Sequence, residues 1–94
     1  MTSLLKSERQ VLIVNEFTKL KFVFTSENGE PIEEENRYGV NHVENLINLL
    51  SAMIKTNVYP IKGDILDEGT DRMIVLNRYF EIKKDVLWII YDIY

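Results

Sequence analysis

Residues 85–94 read DVLWIIYDIY, and the conformation of this stretch decides the fold. Its apolar positions show no 3.6-residue period, which argues against a helix. They are rich in β-branched and aromatic residues, which favour a pleated strand. As a strand the segment alternates, so Leu87, Ile89, Tyr91 and Ile93 point one way. Val86, Trp88, Ile90 and Tyr94 point the other way, together with Asp92. Both faces carry large apolar groups, and Trp88 is the single tryptophan of the chain. A strand of this kind belongs inside a sheet that is covered on both sides.

The upstream segments supply the neighbours. In residues 10–17 (QVLIVNEF), Val11, Leu12, Ile13 and Val14 form a continuous apolar run, expected as a strand buried on both faces. Residues 18–26 (TKLKFVFTS) alternate Leu20, Phe22 and Phe24 with Lys19, Lys21 and Val23, which predicts a strand with one apolar face. The link between the two is short, so they should be adjacent. Asn28-Gly29 follows and predicts a type I′ hairpin turn. The returning segment (EPIEEEN, residues 30–36) contains Pro31 and three consecutive glutamates, the marks of an edge strand that resists further pairing. Residues 73–76 are a further strand candidate that residues 79–82 either continue or follow as a second strand, and Lys83-Lys84-Asp85 is a polar break before the last strand.

One segment has helical periodicity. Val43, Leu46, Ile47, Leu50, Met53 and Ile54 recur at helical spacing, and Asn41 with Glu44 resembles a capping box. The helix should end near Thr56 or Asn57, ahead of Pro60, at a length of roughly 24 Å. Residues 58–70 then read as an acidic connector with room for a short extended piece. The expected order is β-β-β-α-β-(β)-β. The fold class is α+β: an antiparallel or mixed sheet of about five strands with one long amphipathic helix across one face.

Composition limits the function. The chain has 94 residues, 46% hydrophobic and 28% charged, which fits one globular domain over residues 1–94. No run approaches the roughly 18 apolar residues of a membrane span, and residues 1–10 carry charges where a signal peptide would be apolar. The absence of cysteine removes disulfides and thiolate chemistry and fits a cytoplasmic setting. Abundant Ile, Lys and Asn with Ala52 as the lone alanine suggest an AT-rich bacterial or phage genome. Net charge is −4 and no basic stripe is visible, so direct nucleic-acid binding is not expected.

Candidate chemistry is sparse. His42, the one histidine, falls in the first turn of the helix, where the dipole disfavours its charged form. It has no partner at a catalytic spacing and reads as a surface residue. Asp64, Asp67, Glu68 and Asp71 lack the spacing of a calcium loop and read as a solvated connector. Gly29, Gly39, Gly63 and Gly69 form no phosphate-binding motif. The sequence therefore predicts no catalytic residue, no metal site, no cofactor and no enzyme.

What remains is binding. One helix covers one face of a sheet, so the face carrying Trp88, Ile90 and Tyr94 needs another cover. A curled sheet, residues Leu4 and Leu5, or a second protein chain could supply it. Glu27, Glu30, Glu33, Glu34 and Glu35 form an acidic hairpin suited either to solubility or to steering toward a basic surface. The predicted function is a small non-enzymatic protein-binding module, a regulator or inhibitor. Its partner would be another protein, met through Trp88, Ile90, Tyr94 and the acidic hairpin. The alternatives are a structural subunit that pairs with its own copies and, behind it, an acidic mimic of DNA.

Overall fold

The computed structural model describes residues 11–32, 40–69 and 71–94. The elements, in chain order, are β1 (Val11–Asn15), β2 (Thr18–Phe24), α1 (Val40–Lys55), β3 (Ile65–Asp67), β4 (Arg72–Lys83) and β5 (Val86–Ile93). The strands form one five-stranded sheet in the order β1-β2-β5-β4-β3. The decisive segment is a strand and lies at the centre. β5 runs parallel to β2 and antiparallel to β4. The sheet is therefore mixed, and the fold is α+β.

Alternation along β5 works as its sequence implies. Leu87, Ile89, Tyr91 and Ile93 join the main core, with Leu20, Phe22 and Phe24 of β2 beside them. Val43, Leu46 and Leu50 of α1 close the core from above, and Leu66, Met73 and Val75 complete it from β3 and β4. Phe22 and Phe24 meet edge to face with centroids 5.6 Å apart, a favoured aromatic geometry. The buried Tyr91 hydroxyl donates to the Pro60 carbonyl at 2.9 Å. That bond satisfies a polar group that burial would otherwise penalise.

Several expectations need correction. Among the described residues the element order is β-β-α-β-β-β. After the Asn28-Gly29 turn the described residues form an isolated bridge, Pro31 to Thr25, rather than a strand, and residues 33–39 lie outside the described residues. The turn itself is not type I′. Only Gly29 has positive φ, at 85°, and its N–H donates to the Ser26 carbonyl at 2.9 Å. This is a type I turn closed by a left-handed glycine, with the Ser26 hydroxyl accepting from the Asn28 and Glu30 amides. The short extended piece of the acidic connector is a three-residue strand, β3. Residues 73–76 and 79–82 belong to one twelve-residue strand, bulged between Val75 and Asn77. β1 is not buried on both faces: it is a sheet edge, and Ile13 is 74% exposed.

The helix spans 16 residues and is not long enough to cover the whole face. It ends in a Schellman motif, with Asn57 left-handed at φ 59° and the Val58 N–H reaching the Met53 carbonyl at 2.9 Å. Among the described residues nothing covers the hairpin end of β4 and β5. There Phe80 and Ile82 point to the helix side but are 54% and 76% exposed. The polar break is a two-residue hairpin turn, with Lys84 at φ 50° and Asp85 at φ 65°. Positive φ at both central positions defines type I′, here built without glycine. Among the described residues no helix is long and apolar enough to cross a membrane.

Candidate functional site

The face away from α1 has its own chemistry, set by strand register. Parallel pairing of β2 with β5 puts Lys19 beside Trp88 and Lys21 beside Ile90. Antiparallel pairing of β4 with β5 puts Glu81 beside Trp88 and Tyr79 beside Ile90 on the other flank. β1 adds Val11 next to Lys21. Of these side chains all but Lys19 line a cleft of about 310 Å³, together with Val23 and Lys83, and Lys19 stands beside it against the Trp88 ring. Ile90 is its buried floor, only 6% exposed, while Trp88 is half-buried at the wall.

Charge surrounds the tryptophan. The Lys19 Nζ lies 5.4 Å from the Trp88 ring centroid and the Lys83 Nζ 5.8 Å, both within cation–π range. Lys83 also pairs with Glu81 at 3.3 Å. Tyr79 has its pKa raised, first by burial and then by the Asp92 and Glu81 carboxylates. It therefore stays a hydroxyl donor throughout the physiological range. Asn77 donates to Asp92 at 3.4 Å on the same face. The cleft thus offers an aromatic wall, an apolar floor and a rim of lysine ammonium groups. This combination suits binding of an acidic, partly apolar segment.

The residues singled out from the sequence fall in separate places. Trp88 and Ile90 come together in the cleft. Tyr94 lies at the far end of β5, where it exchanges backbone bonds with Ile74. Glu27 and Glu30 lie on the turn beyond β2, near that same end and past Phe24, which pairs with Ile93. From Lys19 to Phe24 is five strand positions, so the acidic turn is roughly 17 Å or more from Trp88. Glu33, Glu34 and Glu35 lie outside the described residues, as do Leu4, Leu5 and the His42 side chain.

The acidic connector is held by its own turns. Asp64 accepts from the Ile61 amide at 2.8 Å, Asp67 from the Gly69 amide at 3.0 Å, and Glu68 from the Asp71 amide at 2.6 Å. Asp67 also meets Arg72 at 3.4 Å. Among the described residues no group of three or more His, Cys, Asp or Glu is arranged to hold a metal ion. With Glu27 and Glu30, these carboxylates make one end of the sheet acidic.

Two features were hidden from sequence reasoning. The lysines around Trp88 come from β2 and β4, and no local pattern announces the parallel β2–β5 pair. The exposed Phe80 and Ile82 look like core residues in the sequence. The one available signal was Lys19 and Lys21 alternating with apolar positions in β2. Comparison with known protein families, with curated proteins and with solved structures finds no match.

Proposed function

We propose that the chain is a small non-enzymatic protein-binding module, a regulator or inhibitor, that takes an acidic, partly apolar segment of another protein into the Trp88 cleft. The observation that carries this reading is the pair of lysines, Lys19 and Lys83, set against Trp88 on the face that α1 leaves open. A tryptophan brings large contact area at low conformational cost. Flanking ammonium groups add attraction for carboxylates and raise the encounter rate. The acidic end around Glu27, Glu30 and Asp67 repels such a partner and biases its approach toward the cleft.

Trp88 is the chain's single tryptophan, so its fluorescence reports the site directly. The test is a titration with a library of short peptides that combine Asp or Glu with aromatic residues, at low and high salt. Saturable change in emission that weakens with salt, and weakens further in Lys19→Glu, supports the reading. Emission that no peptide alters, or binding that Lys19→Glu leaves unchanged, overturns it.

A further inference from the structure

We infer that two copies of the chain join antiparallel through the free edge of β4, about a two-fold axis at Phe80. β3 covers only the start of that edge, from Arg72 to Ile74, and Gly63 and Asp64 extend the cover to Val75. Past Val75, among the described residues, no strand pairs with β4 on this side. The free segment runs from Asn77 to the turn at Lys84.

Backbone direction fixes which groups are offered. The Leu87 amide bonds Phe17 and the Ile93 carbonyl bonds Thr25, so the odd-numbered residues of β5 turn their backbone toward β2. The even-numbered ones turn theirs toward β4, where Asn77, Tyr79, Glu81 and Lys83 meet them. Arg78, Phe80 and Ile82 therefore aim their N–H and C=O groups outward. An open row of this kind is a template for another strand unless the edge is protected. This stretch has neither a proline nor a bulge.

The segment is self-complementary. Phe80 is the midpoint of residues 77–83 and is itself an outward-facing residue, as a two-fold antiparallel pairing through its hydrogen-bonded pair requires. Phe80 then faces its own copy, and Arg78 faces Ile82 of the second copy on each side of the axis. Each of these pairs exchanges two backbone bonds. The aromatic rings meet across the axis, the Arg78 stem lies along Ile82, and the Tyr79 hydroxyl stands opposite a Glu81 carboxylate. An axis at Glu81 would oppose that carboxylate to its copy, which is destabilising. An axis at Tyr79 would set Ile82 against the bulge at Leu76. In the preferred register the two-fold is perpendicular to the sheet, so both Trp88 clefts open on the same side of one merged sheet.

This inference is independent of what the cleft binds, and its test separates the two. Sedimentation of the full chain across a dilution series is compared with Phe80→Pro, which removes only an outward-facing donor and keeps the β5 ladder. Ile82→Lys is the second variant, in case the proline disturbs folding as seen by circular dichroism. The expected result is a dimer of 11.1 kDa chains with slow amide exchange at Arg78, Phe80 and Ile82. Both variants should weaken dimerisation at least tenfold and speed exchange at the residue 78 and 82 amides, and Ile82→Lys should also release the Phe80 amide, which the proline variant lacks. A monomer at all concentrations, or a dimer unchanged by both variants, overturns it. Peptide titration of the monomeric variant by Trp88 fluorescence then tests the cleft alone.

Discussion

Met73 and Val75 share a strand and a direction with Phe80 and Ile82, yet the first pair is 1% exposed and the second is mostly open to solvent. The bulge between Val75 and Asn77 keeps both pairs on the helix side, because the extra residue resets the alternation. The residue types are equally apolar in the two halves. What differs is cover: α1 and β3 lie over the first half and stop short of the second. Burial here is a property of neighbours rather than of hydrophobic sequence. An apolar stretch that its own fold leaves uncovered is where an outside chain gains most.

The comparison breaks most sharply at its buried end. Met73→Ala should cost about 2–5 kcal/mol through lost contacts and a cavity, whereas Ile82→Ala in dilute solution should change stability by no more than ~0.5 kcal/mol. Urea denaturation of both variants checks this, and equal losses would mean the second half is covered after all. Next comes Tyr91, which pairs with Arg78 near the junction of the halves. Its pKa is pushed up to about 12, chiefly by burial, with Arg78 pulling the other way. The unfolded chain ionises this tyrosine near pH 10 and the folded one does not. Stability from this group is thus complete below pH 10 and drains away as pH rises through 12, by at most about 1.4 kcal/mol per pH unit. Tyr91→Phe should remove that alkaline loss in thermal melts between pH 9 and 12. It should also cost about 0.5–1.5 kcal/mol at neutral pH, because one hydrogen bond to the Pro60 carbonyl is lost while the Arg78 guanidinium still donates to it.

Smaller effects sharpen the contrast at the two ends. Replacing Lys84-Asp85 by Asn-Gly should stabilise by about 1 kcal/mol, since lysine is strained at positive φ and Asn-Gly is at ease there. Asn57→Gly at the end of α1 should gain less, ~0.5 kcal/mol, because asparagine already tolerates the left-handed region. Denaturant midpoints of the two variants rank them, and the reverse order would contradict the backbone angles.

Much of this was visible in the residues. The two faces of β5, the apolar face of β2 and the stripe on α1 follow from local periodicity, and they suffice for the α+β class. The parallel β2–β5 pair was not visible, because it joins segments more than sixty positions apart through backbone bonds that leave no side-chain code. Sequence left open whether β4 is one strand or two because Asn77 and Arg78 interrupt its apolar run, though their backbone continues the ladder. The Lys84-Asp85 turn lacks the glycine that would have announced it. At the site, Trp88 stood out by type. Its lysine neighbours depended on the register, and the placement of Glu27 and Glu30 depended on the direction of β2.

The place of β5 has a consequence for biosynthesis. Of the six described elements it is the last to leave the ribosome, yet it is the strand that joins β2 to β4. While it is still being made, the β1–β2 hairpin and the β3–β4 pair have no common partner, and the core face of each stays wet. Two strand edges that native pairing will close are open during that interval. The sheet can therefore assemble only after β5 has emerged, and a nascent chain stalled before residue 86 is a target for chaperones and for misplaced strands from other chains.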